Sequence, residues 1–337
     1  MNINDPLISI IITCRNCIRT IKETLSSLKK QSLQSFEVIV VDAFSNDGTY
    51  EYLLEEQKRW TKLKVFRCHG NPAKGRNYGI VRARGKYVAF IDADAYAEYN
   101  WLEMLLEAMK RYEKTGIVGV GGPGYIPPND PLKAKVIGLV LSNPLLGMGA
   151  RNNALWKKPR YVDHHPFFNA MYTRWIFEKI GLLNEKLDAG EDVEFGWRIR
   201  RHGFKLLYIP NAVVYHHRRA SILALTKQMF RYGYWRVMLR HIDSKIVGVK
   251  YYIPMLLILH VSSLAILIPL LSNMYRLLPY ISVVPLILYV SMIVLVALYI
   301  AMKLKSLYAF PIAIASALVT HYSYGIGFLR ALFRRKL

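Results

Sequence analysis

Cysteine is scarce in this chain: three among 337 residues, Cys14, Cys17 and Cys68, too few for a disulfide framework. Cys14-x-x-Cys17 and the pair Cys68-His69 together offer four possible zinc ligands. No second CxxC accompanies them, and Cys14 ends an apolar run, so they read as ordinary reduced thiols. Acidic residues are scarce too, 23 Asp and Glu against 46 Lys and Arg, giving a formal charge of +23. No nucleic-acid motif goes with that charge, and the basic residues thicken between Arg218 and Lys250, ahead of an apolar segment. A juxtamembrane segment facing anionic lipid accounts for this, and nucleic acid is set aside as a partner. Internal repeats and low-complexity segments are absent. The first residues, MNINDPL, are polar, so no signal peptide is expected and the N-terminal part is assigned to the cytoplasmic face.

From 251 to 329 the chain contains no Asp or Glu at all. Residues 251–272 and 277–302 each exceed the roughly 20 residues that cross a hydrocarbon core, so both are expected to span. The stretch 306–329 is of spanning length but carries His321, Tyr322, Ser323 and Tyr324. A third full span would put Arg330, Arg334, Arg335 and Lys336 opposite Lys303 and Lys305, against the positive-inside tendency. A third span and a re-entrant hairpin both remain open. The segment 221–242 sets Leu225, Met229, Tyr232 and Trp235 against Lys227, Arg231, Arg236 and Arg240. That pattern fits an amphipathic helix at the membrane interface, or a helix packed on a domain with a solvated basic face. The expected organisation is a domain over 1–220, an interfacial segment over 221–250 and a transmembrane region of two to three helices over 251–330.

The N-terminal part alternates. Residues 7–14 (LISIIITC) and 37–42 (EVIVVD) are β-branched runs suited to buried parallel strands, and Ile18, Ile21, Leu25 and Leu28 between them recur at helical spacing. A helix from Gly48 to about Lys62, a strand at 63–67 and a helix near Lys74 follow, then the run VAFIDADA at 88–95. This order predicts an α/β domain with a mostly parallel sheet. The run ends on Asp92 and Asp94, placed by strand periodicity on one side at a carboxyl end, where such sheets bind ligands. Paired carboxylates there can hold a hard divalent cation that bridges to phosphates.

Five blocks in order, SIIITCRN, VIVVDAFSNDGT, KGRNYGI, IDADA and AGEDVEFGWRIRRHG, span about 200 residues and resemble the glycosyltransferase family 2 pattern. The membrane-anchored members that build exopolysaccharides and lipid-linked oligosaccharides are the nearest in layout. The resemblance implies a GT-A, Rossmann-like catalytic domain followed by an interfacial helix and C-terminal transmembrane helices. It implies donor contacts from Thr13, Arg15, Asp42, Arg76 and Asp92, and a Mg²⁺ or Mn²⁺ held by Asp94 with His216. Lys74 and Asn77 flank Arg76 and could as well be solvated surface residues. Ala43 and Phe44 stand where the common DDGS form has its second acid and glycine, a departure that bears on the nucleobase. Gln228, Arg231 and Tyr232 resemble the QxxRW motif with Tyr for Trp, and a guanidinium can clasp a diphosphate while an aromatic ring stacks on sugar.

Glu191 and Asp192 open a helix, where capping alone explains one acid. The resemblance makes Asp192 the general base of an inverting transfer and Glu191 a group that orients the acceptor. The implied activity moves a sugar from a nucleotide-sugar donor to a lipid-linked saccharide at the cell membrane, with the catalytic domain cytoplasmic. A polyprenyl-phosphate sugar synthase is the nearest rival, and a non-catalytic nucleotide-binding membrane scaffold is the alternative from another class.

Overall fold

In the computed structural model, residues 5–147, 156–218, 220–271 and 278–334 are described. They divide into two units, the first made of Met1–Pro127 and Asn152–His217, the second of Pro128–Arg151 and Arg218–Leu337.

The first unit begins with the expected alternation: β1 (Ile8–Cys14), α1 (Ile18–Lys29), β2 (Phe36–Asp42), α2 (Thr49–Arg59), β3 (Leu63–Arg67), α3 (Pro72–Arg82) and β4 (Tyr87–Phe90). Every residue of β2 is buried, as its unbroken apolar run demands of a strand covered on both faces. The four strands pair in parallel in the order β3-β2-β1-β4. A Cβ on Gly75 would lie 2.9 Å from Thr13 Cγ2 and one on Gly79 2.7 Å from Ile11 Cγ2, so glycine lets α3 press against β1. Asn71 caps α3 by accepting from the Lys74 amide, with Pro72 at its first position.

The chain continues through β5 (Ala95–Ala97), α4 (Trp101–Tyr112), β6 (Ile117–Gly121) and β7 (Gly124–Tyr125), then α5 (Leu132–Ser142), which belongs to the second unit. It returns to the first unit as β8 (Arg160–Val162), β9 (Ala170–Thr173), α6 (Trp175–Ile180), α7 (Glu191–Arg201), β10 (Lys205–Tyr208) and β11 (Val214–His216). The main sheet has eight strands, β3-β2-β1-β4-β9-β6-β10-β8, with β9 antiparallel to both neighbours. Alternation along β9 sends Met171 to the core beneath α1 and α4, while Ala170 and Tyr172 join the core beneath α3, α6 and α7. A second sheet of three short strands runs β5-β11-β7.

The run VAFIDADA is therefore not one strand. β4 ends at Phe90, and Asp92 and Asp94 lie in a turn closed by the Ala95 amide donating to the Asp92 carbonyl. The chain leaves the main sheet there for the small one, and the turn, not strand periodicity, sets the two carboxylates.

In the second unit, α8 (Ile222–Arg240), α9 (Ile253–Leu271), α10 (Leu278–Lys303) and α11 (Ala309–Leu332) join α5, with α11 packed against each of the others. The third apolar segment is a single unbroken helix. Among the described residues, two helices are long and apolar enough to cross a membrane, Val283–Lys303 and Ala309–Leu332, and Val249–Leu264 is a shorter apolar stretch. The span expected over 251–272 falls partly outside the described residues, as does Leu277 at the start of the next. On α8 the buried stripe is Leu225, Met229, Gly233 and Val237, at steps of four, while Tyr232 and Trp235 are half-buried. Helix-to-helix contact explains the shift from the amphipathic pattern: a Cβ on Gly233 would lie 1.9 Å from the Tyr324 carbonyl oxygen, and one on Gly327 2.1 Å from that of Phe230. Backbone approach through small residues is the usual way apolar helices interlock.

Candidate active site

Antiparallel pairing of β11 with β5 sets His216 opposite Ala95, and so beside the Asp92–Asp94 turn. His216 Nε2 lies 3.0 Å from Asp94 Oδ1. One ligand atom from each of Asp92, Asp94 and His216 falls within 4.8 Å of the others, the group among the described residues that could hold a metal ion. Phe168 stacks on the His216 ring at 4.9 Å and fixes its plane. The carboxylates are partly open to solvent and the imidazole is mostly covered. Two oxygens and one nitrogen in this spread suit a divalent cation that keeps its remaining positions for water or phosphate.

Arg76 joins this turn to the head of α7. Its guanidinium donates to Asp92 Oδ1 at 3.1 Å and to Glu191 Oε1 at 2.5 Å, and lies 4.9 Å from the centroid of the Phe167 ring. The side chain is 9% exposed. Burial works against its charge, but the carboxylates of Glu191, Asp92 and Asp192 more than offset that and raise its pKa. Glu191 is equally buried. Burial raises its pKa, Arg76 pulls it back, and Asp192 raises it further. Glu191 is thus a partner of Arg76. Gly190, in the left-handed region at φ 87°, turns the chain into α7. Asp192 follows in the first turn, half-buried, its Oδ1 accepting from the Val193 amide at 2.8 Å.

At the other end of the crevice, Thr13 is half-buried and Arg15 exposed. Asp42, expected to meet the donor, is fully buried. Its Oδ2 accepts from the Ser45 amide at 3.0 Å and lies 3.4 Å from Arg67 Nε, its Oδ1 accepts from the Ser45 hydroxyl, and the Cys14 thiol lies 3.7 Å away. With both oxygens engaged inside the protein, Asp42 shapes the β2–α2 loop. Phe44 on that loop stacks on His69, a contact that sequence reading missed because the two rings come from loops after different strands. Tyr172, fully buried on β9, was missed as well. Its hydroxyl has no hydrogen-bond partner, and burial, with Asp192 nearby, raises its pKa. Gln228, Arg231 and Tyr232 lie on α8 of the second unit, where Gln228 Nε2 donates to the Tyr232 hydroxyl at 3.1 Å.

A mostly parallel sheet with a metal-capable acidic turn at its carboxyl edge and a carboxylate heading a nearby helix defines a GT-A transferase fold. The family described as glycosyl transferase family 2 matches residues 9–181, more than half of the chain, and glycosyltransferase like family 2 matches residues 167–234. The chain belongs to glycosyltransferase family 2 and is an enzyme of that class. It is 28% identical over 235 residues to the dolichyl N-acetyl-alpha-D-glucosaminyl phosphate 3-beta-D-2,3-diacetamido-2,3-dideoxy-beta-D-glucuronosyltransferase of Methanococcus voltae, covering 67% of this chain and 71% of that protein. It is 30% identical over 203 residues to the uncharacterized glycosyltransferase EpsJ of Bacillus subtilis, covering 56% of this chain and 55% of EpsJ. The crystal structure of GalNAc-T7 with UDP, GalNAc and Mn2+ is similar in fold, with a TM-score of 0.51, 19% identity, and coverage of 71% of this chain and 50% of that one.

Proposed function

We propose that this enzyme is an inverting, metal-dependent glycosyltransferase that moves a sugar from a nucleotide-sugar donor to a hydroxyl of a lipid-linked saccharide at a membrane. The observation that carries the reading is the arrangement in the first unit, where Arg76 ties the Asp92–Asp94–His216 group to the helix head bearing Asp192. A Mg²⁺ or Mn²⁺ held by Asp92, Asp94 and His216 would supply Lewis-acid charge against the leaving diphosphate. The imidazole in the set favours Mn²⁺ over Mg²⁺, which prefers oxygen ligands throughout. Arg76 holds Asp92 in place through its fork to Glu191. Asp192 takes the proton of the acceptor hydroxyl as that oxygen attacks the anomeric carbon opposite the departing diphosphate, and attack from that side inverts the configuration. The donor role of Gln228, Arg231 and Tyr232 rests on their motif alone.

The name of the Methanococcus voltae relative includes a dolichyl phosphate sugar, which supports a lipid-linked acceptor here. Two apolar helices long enough to span, and the basic run between Arg218 and Lys250, support anchoring with the catalytic unit on the cytoplasmic side. Release of nucleoside diphosphate from a panel of UDP and GDP sugars, with Mn²⁺ and a membrane lipid extract, tests the proposal. Asp192→Asn should lower turnover by about 10²–10⁴-fold while still binding donor. An Asp192→Asn enzyme of normal turnover would move the reading to a phosphate acceptor, which arrives already anionic.

A further inference from the structure

Asp42, at the end of β2, is fully buried, and Ala43, which opens the β2–α2 loop, carries no polar side chain. The next residue of the loop, Phe44, is exposed. Phe44 sits at φ 56°, in the left-handed region that residues other than Gly, Asn and Asp rarely adopt. The loop leaves it no alternative: the Ser45 amide and hydroxyl are held by Asp42, the Asn16 amide donates to Ser45 Oγ at 2.8 Å, and the Asn46 amide donates to Asn16 Oδ1 at 2.9 Å. Asp47 adds a tie, accepting from the Ile18 amide at 3.2 Å and the Thr49 amide at 3.1 Å.

A glycine at 44 would relax this backbone, and the phenyl ring contributes nothing to the core, since Phe44 is 40% exposed. The ring is nonetheless organised. It lies flat on the imidazole of His69, with centroids 3.6 Å apart and planes 5° from parallel. The Arg67 guanidinium lies 5.1 Å from the Phe44 centroid and 3.4 Å from that of Tyr50. His69 is itself exposed. A strained backbone that displays an aromatic pair to solvent at the carboxyl ends of two parallel strands has the character of a ligand clamp.

Position identifies what it clamps. Sheet order runs β3-β2-β1-β4, so the loop after β2 stands two strand spacings from the loop after β4 that carries Asp92 and Asp94. At about 4.8 Å each, two spacings make about 10 Å, the reach of a ribose and its base from the diphosphate they carry. We infer that the Phe44–His69 pair is the shelf on which the nucleobase of the donor stacks, so that this enzyme holds the base by a π face. The inference rests on the nucleotide-donor reading above, and its test separates the two.

The experiment is calorimetric titration of the full chain in detergent micelles with UDP, GDP and inorganic diphosphate, each with Mn²⁺, for wild type, Phe44→Ala, Phe44→Tyr and His69→Ala. Base stacking on one aromatic side chain implies that Phe44→Ala weakens the nucleoside diphosphates by about fivefold to about 150-fold. Inorganic diphosphate should bind Phe44→Ala as it binds wild type, Phe44→Tyr should retain nucleotide affinity, and His69→Ala should lose part of it. The ring is outside the core, so Phe44→Ala should keep the wild-type melting temperature. Nucleotide affinity within twofold of wild type in Phe44→Ala overturns the shelf, as does an equal loss for inorganic diphosphate. Failure of wild type to bind UDP or GDP any more tightly than inorganic diphosphate overturns the donor reading itself.

Discussion

Replacing Arg76 with Met removes a charge that two carboxylates share inside the protein. Glu191, 8% exposed, would keep its place beside Asp192 with no cation against it. Breaking a buried ion pair from one side costs about 3–5 kcal/mol. The pKa of Glu191 is already raised by burial, so the side chain can take up a proton as an alternative to standing charged and alone, and about 3 kcal/mol is the fair expectation at neutral pH. The sign with pH follows. A carboxyl whose folded pKa lies above its unfolded value stabilises the fold at low pH and loses that contribution as pH rises through the folded pKa. Losing Arg76 raises that pKa further, so the deficit of Arg76→Met should be larger at pH 8 than at pH 5. The assay is thermal unfolding of the full chain in detergent micelles, read by tryptophan fluorescence at both values. At about 2–4 °C per kcal/mol for a unit of this size, the melting temperature should fall by about 6–12 °C at pH 8. Arg76→Met combined with Glu191→Gln should recover most of it. A fall under about 2 °C, an equal fall at both pH values, or no recovery in the double variant would refute the reasoning, the first because a buried pair broken from one side costs far more.

His165 is buried with its Nε2 unpartnered, and burial lowers its pKa to about 3. A base depressed on folding stabilises above its unfolded value near 6.5 and loses that contribution as pH falls toward 3, so stability should drop by up to about 1.4 kcal/mol per pH unit in that window. His165→Asn should flatten the slope in a melting series from pH 7 to pH 4, and an unchanged slope would count against it. Gly233→Leu forces a side chain against the Tyr324 carbonyl, where a Cβ alone would lie 1.9 Å away. Detergent-solubilised protein carrying it should melt lower than wild type and expose α8 to proteolysis, whereas substitution at exposed Lys227 should change neither.

The alternation of strands and helices up to β4 was legible because β-branched runs and helical spacing are local signals, and α3 begins at a recognisable cap, Asn71. The exit from the main sheet after Phe90 was not legible. From Tyr87 to Ala97 no glycine or proline marks the bend, and the apolar run continues through it. Asp42 ends an apolar strand at the carboxyl edge where such sheets bind ligands. Its burial depends on Ser45, Arg67 and Cys14 closing around it, which is tertiary information. Which of the adjacent acids Glu191 and Asp192 turns inward is tertiary information too, set by Arg76, 115 positions before Glu191. His216 came forward only through the family resemblance, because the pairing of two three-residue strands that sets it beside Asp94 leaves no periodic trace. The α8–α11 contact depends on Gly233 and Gly327, whose hydrophobic contribution is nil and whose value lies in what they allow to approach.

Binding of Mn²⁺ to Asp92, Asp94 and His216 is the claim on which the proposed mechanism turns, and electron paramagnetic resonance of Mn²⁺ titrated into the full chain, with and without UDP, tests it directly. The account predicts one bound ion whose affinity rises with UDP and is lost in Asp94→Ala and in His216→Ala while both variants keep their fold. Equal Mn²⁺ affinity in wild type and both variants would contradict it.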